Sequence, residues 1–408
     1  MVNVNILERN SSLMERRRSS IEKTIEFIKR NRSDIRDILT EVSTYRTAEE
    51  EIDSSIKTLE KGYDEVRRNQ PPDIDRMSVF MPSNVLLYSY VLYLLIPSYY
   101  TKEIEFRSSS MVSPQVKRLH DLLKKVHELP ITLLELSHRK YIRESAMKSD
   151  VVVFTGTYQN AENIKFQLSD DQLFVYFGQG VNPFILTESA YIEHSAEDLI
   201  TARMFNSGQD CMGPDAIYVH RSISDAFIHE LLAKVKQLKY GSNLDLTADY
   251  GKIHYTSTLE SVGQYLNQHS AFIRHGGTID YHQKVLQPTV LVSHITDKLP
   301  IDEYFSPIFN VIIYDQDEQL KSTLQEGYFL ERAMGASLYC GDGSDELLSY
   351  LQKKHVVSVN QTLFEIEDGN SPFGGYGPMA NYASYRGELH IHPLLLSKVL
   401  HDLWGREG

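Results

Sequence analysis

Cysteine is nearly absent from this chain: Cys211 and Cys340 are the two in 408 residues. Two thiols build no disulfide framework, which excludes a small secreted scaffold and predicts a reducing, cytoplasmic setting. Long hydrophobic runs are missing too. The run over 85–96 is interrupted by Tyr88, Ser89, Tyr90 and Tyr93 and is too short to span a bilayer, so it reads as a buried helix. The opening stretch 1–18 has no apolar core of the kind a signal peptide needs. Positive charge is in deficit, 42 Lys and Arg against 55 Asp and Glu for a net −13. That balance argues against nucleic acid or an anionic membrane as the main partner. Internal repeats, low-complexity segments and a G-x-G-x-x-G fingerprint are absent. His390, His392, His401 and Asp402 follow no recognised metal-ligand spacing and read as exposed helix-end groups, so no metal site is expected.

What is present is a soluble globular composition, 41% hydrophobic and 24% charged, on a chain long enough for two or three domains. Residues 12–68 are expected to be helical, with Ile21, Ile25, Ile28, Ile35, Ile38, Ile52, Ile56 and Leu59 at helical spacing. The cluster Arg16-Arg17-Arg18 reads as a solvated face, and Gln70-Pro71-Pro72-Asp73 breaks the helix. From residue 78 short apolar runs alternate with helical patterns. Strands are expected at 78–81, 103–106, 151–154, 172–176 and 184–186, with helices at 86–95, 115–128 and 134–146 between them. A second cycle follows, with helices at 196–204, 223–238 and 257–268 and strands at 216–219, 289–292, 310–314, 336–339 and 356–359. This rhythm predicts an α/β fold of two parallel-sheet domains with a seam near 180–183. The expected division is 1–75 as N-terminal helices packing on the first domain, 76–182 as that domain, 183–370 as the second, and 371–408 as a closing segment with a terminal helix.

The segment Phe205-Asn206-Ser207-Gly208-Gln209-Asp210-Cys211-Met212 puts one thiol beside residues that favour a tight turn. A thiol held there with its own N–H suits a nucleophile that attacks a carbonyl and steadies the oxyanion. Other segments accompany it in order: Met81-Pro82-Ser83-Asn84, Phe154-Thr155-Gly156-Thr157, Gly180-Val181-Asn182-Pro183-Phe184, Gln287-Pro288-Thr289, Glu303-Tyr304-Phe305-Ser306-Pro307, Val359-Asn360 and Pro372-Phe373-Gly374-Gly375-Tyr376-Gly377. As a set they resemble the aldehyde dehydrogenase superfamily over some three quarters of the chain. The resemblance implies a Rossmann-like cofactor domain joined to an α/β catalytic domain. It makes Cys211 the nucleophile and Asn84, with the Cys211 N–H, the oxyanion donors. Thr155, Gly156 and Thr157 become the turn against the pyrophosphate and nicotinamide, and Glu303 and Phe305 the pair near the nicotinamide ribose. Arg107 aligns with a family lysine at the adenosine ribose. Ser110 stands where NAD-preferring members carry a glutamate, so NADP(H) is expected over NAD(H).

One position departs from the family. Its hydrolytic members open the Gly180 motif with a glutamate that activates water; here Phe177 stands there, at the family's separation of 211 − 177 = 34 from the thiol. A ring takes no proton, and base catalysis contributes roughly 10²–10⁴-fold, so a Cys211 thioester should hydrolyse slowly. Glu188 and Glu193, the nearest downstream carboxylates, read as surface groups. The resemblance then implies an oxidoreductase interconverting an aldehyde and an acyl thioester, in the reductive or thiol-acylating direction, with coenzyme A or an acyl carrier as co-substrate. Two alternatives stay open: an ordinary hydrolytic aldehyde dehydrogenase, and a binding protein that kept the fold without turnover. The short stretch before Asn84 and the helical terminus point to a monomer or homodimer over the family's tetramer.

Overall fold

The computed structural model describes residues 2–341 and 345–405. Three helices open the chain: α1 (Val2–Arg30), α2 (Arg32–Leu39) and α3 (Tyr45–Asn69). The single helical stretch expected over 12–68 is thus broken, because Thr40–Thr44 turns and Thr44 caps α3 through Thr47 N. The solvated reading of Arg16–Arg18 is corrected at its centre. Arg17 is 9% exposed and donates to the carbonyls of Ser98 and Thr101, pinning α1 to the start of the second strand.

The first sheet contains β1 (Ile74–Phe80), β2 (Thr101–Arg107), β3 (Ile131–Leu133), β4 (Val151–Thr155) and β5 (Leu173–Phe177), parallel in the order β3-β2-β1-β4-β5. Alternation decides its faces. Val151 and Val153 join Ile52, Leu59, Leu94 and Leu119 in the core under the N-terminal helices, while Val152 and Phe154 face Tyr141, Ala161 and Ile164 on the other side. Burial on both faces is what makes these strands read as continuous apolar runs.

The second sheet uses β6 (Pro183–Leu186), β7 (Ala216–His220) and β8 (Ile273–His275). After the small ladder of β9 (Ile279–Asp280) and β10 (Val285–Leu286) come β11 (Thr289–His294), β12 (Ile308–Tyr314), β13 (Gly335–Tyr339) and β14 (Val356–Val359). Its order is β14-β13-β6-β7-β12-β11-β8, with β8 antiparallel. Residues 178–182 connect β5 of the first sheet to β6 of the second.

The closing segment differs from expectation. Before the terminal helix, Leu396–Trp404, the chain forms β15 (Asn381–Tyr385) and β16 (Glu388–His390), and β15 pairs antiparallel with β5 in the first sheet. Its alternation Asn-Tyr-Ala-Ser-Tyr is polar enough to read as loop; pairing with β5 is what makes it a strand. Leu396, Val399 and Leu400 of the terminal helix then enter the core under α3. The helix expected over 134–146 shortens to His138–Glu144 behind β3. No described helix is long and apolar enough to cross a membrane, and no described group of His, Cys, Asp and Glu could hold a metal ion.

Candidate active site

Strand order puts the site where it is. β1 lies between β2 and β4, and its register levels Phe80 with Arg107 on one side and Phe154 on the other. Thr155 in turn pairs with Phe177. The carboxyl ends of β2, β1, β4 and β5 therefore form one rim, at the point where the winding reverses and open α/β sheets bind ligands. Met81-Pro82-Ser83-Asn84 leaves β1 at this rim, and Gly156 donates to the Phe177 carbonyl at 3.1 Å.

The other wall is the Cys211 loop. Helix Ile192–Met204 ends, and Asn206, Ser207 and Gly208 all take left-handed φ, at 46°, 58° and 80°. At Gly208 a side chain is excluded outright, since a Cβ would meet the Ser306 backbone at 2.4 Å. The two non-glycine residues cost about 1–2 kcal/mol each. Five hydrogen bonds offset this, at about 0.5–1.5 kcal/mol net apiece. Asn206 N donates to Thr47 Oγ1 at 2.9 Å, Gly251 N to Ser207 Oγ at 2.9 Å, and His254 N to Gln209 Oε1 at 2.6 Å. Gln209 Nε2 donates to the Asn206 carbonyl at 3.0 Å, and Arg203 Nη2 to that of Gly208 at 2.8 Å. Beyond the loop, Asn182 Nδ2 donates to the Cys211 carbonyl at 2.7 Å.

Between these walls lies a cavity of about 380 Å³ lined by Cys211, Asn84, Thr155 and Phe177 together. Tyr93 and Phe373 flank the Phe177 ring at 5.6 and 6.3 Å, and Tyr88, Phe205 and Phe364 complete an aromatic lining. The cap position of the helix that follows falls to Val85, at φ 43°, and Asn84 before it lines the cavity. Position 177 carries no base. Carboxyls that the sequence did not single out, Glu51, Asp210 and Glu367 among them, nevertheless line the same cavity. Glu188 and Glu193 are exposed, as expected.

The electrostatics are one-sided. Burial pushes Glu51 up to about 7, against two backbone N–H groups and with the charge of Asp210 adding to the rise. Burial lifts Asp210 to about 6 and Glu367 above its ordinary range. Cys211 keeps partial exposure to the cavity but is closely enclosed. Burial first, then Asp210 and Glu303, hold its thiol well above the ordinary value.

The remaining expected residues stand around the rim and outside the cavity lining. Burial, with Asp215 and Asp302, drives Glu303 well above the carboxylate range, and its Oε1 is buried without a hydrogen-bond partner. Phe305 holds φ 44° and packs edge-on to Tyr255 at 5.9 Å. Arg107 donates from Nη1 to His138 Nδ1 at 3.1 Å, while its Nε is buried and unpaired. Burial lowers both groups, so His138 accepts as a neutral imidazole. Ser110 is exposed in the turn after β2, and Gly156 and Thr157 lead into helix Tyr158–Lys165. These orphaned polar atoms at Glu303 and Arg107 suit a ribose hydroxyl and a phosphate. Sequence reasoning missed Arg203, Thr47, Glu51 and Glu367. Only the lone arginine among the apolar residues before Phe205 offered a signal.

A thiol held protonated should alkylate slowly and at unusually high pH. In a Cys340→Ala background, iodoacetamide labelling of Cys211 at neutral pH is expected to be at least about ten-fold slower than for a free thiol of pKa about 8.5. Its rate should still climb above about pH 9.5, where that free thiol has levelled off. A plateau at lower pH would contradict the described environment.

Comparison with known proteins identifies the family. A profile of the aldehyde dehydrogenase family matches residues 142–378, more than half of the chain. The 4,4'-diapolycopene-4,4'-dial dehydrogenase of Cytobacillus firmus is 27% identical over 252 residues, covering 60% of this chain and 53% of that protein. The 4,4'-diaponeurosporen-aldehyde dehydrogenase of Staphylococcus aureus is 28% identical over 249 residues, covering 59% and 51%. The chain thus spans about half the length of the curated relatives it matches. Among solved structures, succinic semialdehyde dehydrogenase from Streptococcus pyogenes, in complex with NADP+, superposes with a TM-score of 0.82 at 16% identity, over 95% of this chain and 93% of that one. Because the family profile matches more than half of its length, the chain belongs to the aldehyde dehydrogenase family.

Proposed function

We propose that this protein interconverts an aldehyde and an acyl thioester through a covalent adduct on Cys211, in the reductive or thiol-acylating direction. One observation carries the reading: Cys211, Asn84 and Phe177 face one cavity, with a thiol, an amide donor and a ring where water would otherwise be activated. Attack of Sγ on the carbonyl carbon forms a C–S bond and moves the π pair onto oxygen. The Asn84 amide and the Cys211 N–H receive that charge, a contribution of roughly 2.7–4 kcal/mol per donor. Sγ must first lose its proton, and Asp210, its neighbour in the chain and a carboxyl of the same cavity that burial lifts to about 6, is the group to receive it.

Thr155, Gly156 and Thr157 would hold a nicotinamide dinucleotide at its pyrophosphate, Glu303 and Phe305 at the nicotinamide ribose, and Arg107 and Ser110 at the adenosine ribose. When bound, that group supplies the hydride acceptor or donor for the carbon held on Cys211. The unpaired Glu303 Oε1 and Arg107 Nε support this assignment. An arginine without an acidic partner supports NADP(H), as does the NADP+ of the structural relative.

The lining of the cavity supports an uncharged, apolar substrate. None of the described residues that line it is Lys, Arg or His, whereas six are Asp or Glu: Glu50, Glu51, Asp53, Glu65, Asp210 and Glu367. An anionic tail would find no cationic side chain on the described lining to pair with. A second reading, hydrolysis, draws on the same carboxyls, any of which could serve water in place of a glutamate at 177.

Three measurements test the proposal. Intact mass after exposure to thioesters should reveal an acyl adduct on Cys211, and Phe177→Glu should speed its release as free acid by roughly 10²–10⁴-fold. Rapid acid release by the unaltered protein would favour hydrolysis. Hexanal should be turned over at least about ten-fold better than succinic semialdehyde, whose carboxylate would be desolvated without a counter-ion; the reverse order would refute the substrate class. NADP should bind more tightly than NAD, with Arg107→Ala narrowing the gap by about ten-fold; tighter NAD binding would refute the cofactor preference.

A further inference from the structure

The two donors of the oxyanion pocket come from different halves of the molecule. Asn84 follows β1 of the first sheet, and Cys211 follows a helix that packs on the second. Their mutual placement has to be held by something that touches both, and helix α3 does so with two side chains one turn apart. Thr47 and Glu51 stand at i and i+4 on one face, 3% and 5% exposed.

Thr47 acts on the thiol side. Its hydroxyl accepts from Asn206 N at 2.9 Å, at the first left-handed residue of the Cys211 loop. Thr44 orients it, through a hydroxyl–hydroxyl contact of 2.9 Å.

Glu51 acts on the amide side. Helix Leu86–Tyr90 starts from Val85 at φ 43°, with no side-chain cap of its own. Its first N–H groups therefore need a partner from elsewhere. Glu51 Oε1 accepts from both Leu87 N at 2.6 Å and Tyr88 N at 3.1 Å. Left-handed backbone strains a valine, and two hydrogen bonds from the residues that follow it to one buried carboxyl oxygen offset that strain. The turn that carries Asn84 is thus held from α3.

We propose that Thr47 and Glu51 are positioning residues that set the thiol loop and the Asn84 turn against one another. The proposal rests on the reading of Cys211 and Asn84 as thiol and oxyanion donor. Positioning predicts that what matters is an acceptor atom at each site, so Glu51→Gln and Thr47→Ser should work where Glu51→Ala and Thr47→Val fail. A proton-carrying role for Glu51 predicts instead that Glu51→Gln fails as badly as Glu51→Ala.

The test uses p-nitrophenyl acetate, whose acyl group passes to a thiol through a tetrahedral oxyanion with release of nitrophenolate and without cofactor. The full-length protein should give a nitrophenolate burst that Cys211→Ala abolishes. No burst, or a burst that survives Cys211→Ala, would sink the underlying reading and the proposal with it. Given the burst, Glu51→Ala should lower the saturating acylation rate by about 10²-fold and Thr47→Val by about 10-fold, with half-saturation within about three-fold, the penalty of a misplaced donor. Glu51→Gln and Thr47→Ser should stay within about three-fold of the unaltered protein. Equal rates in Thr47→Val and Thr47→Ser would overturn the positioning role of Thr47, and equally slow Glu51→Gln and Glu51→Ala would overturn that of Glu51. Thr47→Val is nearly isosteric, so the Thr47 pair decides the matter should Glu51→Ala fail to fold.

Discussion

A single buried guanidinium ties the thiol loop to the rest of the molecule. Arg203 is 2% exposed, yet every donor it has is used: Nε and Nη2 on the Ser306 carbonyl, Nη2 also on Gly208, and Nη1 on the Pro214 carbonyl and Asp215. Burial lowers its pKa and lifts that of Asp215 to about 7, each charge opposing the shift of the other. Burying such a pair costs several kcal/mol per ion unless the remaining hydrogen bonds are made, and here the backbone makes them. From Asp215 the network continues. Its Oδ2 accepts from Asn182 N, and the Asn182 amide donates to the Cys211 and Gly213 carbonyls and accepts from Gly335 N. Loop 206–215, the turn at 306 and strands β6 and β13 are thereby one rigid unit.

That rigidity gives the cavity its chemistry. Of the six carboxyls on this aromatic lining, where no described residue is a cation, burial holds Glu51, Glu65, Asp210 and Glu367 toward their protonated forms, and the thiol with them. In an environment of low dielectric a neutral thiol is the cheaper resting state. Phe177 extends the same logic. Packed between Tyr93 and Phe373, its ring adds apolar surface to the same lining and no proton acceptor.

The amino-terminal helices take part in this arrangement and do more than cover a sheet. α3 buries Ile52 and Leu59 against the first sheet, and from the same helix Thr47 and Glu51 reach the loop of the thiol and the turn of Asn84. An element outside both α/β layers thus carries contacts to both walls of the cavity.

The alternation of apolar runs and helical patterns was enough to announce two parallel sheets, because strands buried on both faces must be hydrophobic throughout. The ordered motifs named Asn84, Thr155, Phe177 and Cys211, each at a strand or helix end, and the structure brings these four to one cavity. Other features had no local signature. Strand β15 exists because β5 offers it an edge, and Arg17 and Arg203 are buried because carbonyls from distant segments converge on them. Glu51 looks in sequence like any acid on a charged helix, and its burial beside Asp210 is a fact of packing. Short-range preference settles which elements form, since it acts within a turn or a strand; which charges share a cavity depends on contacts between residues far apart in the chain, and only the folded arrangement decides that.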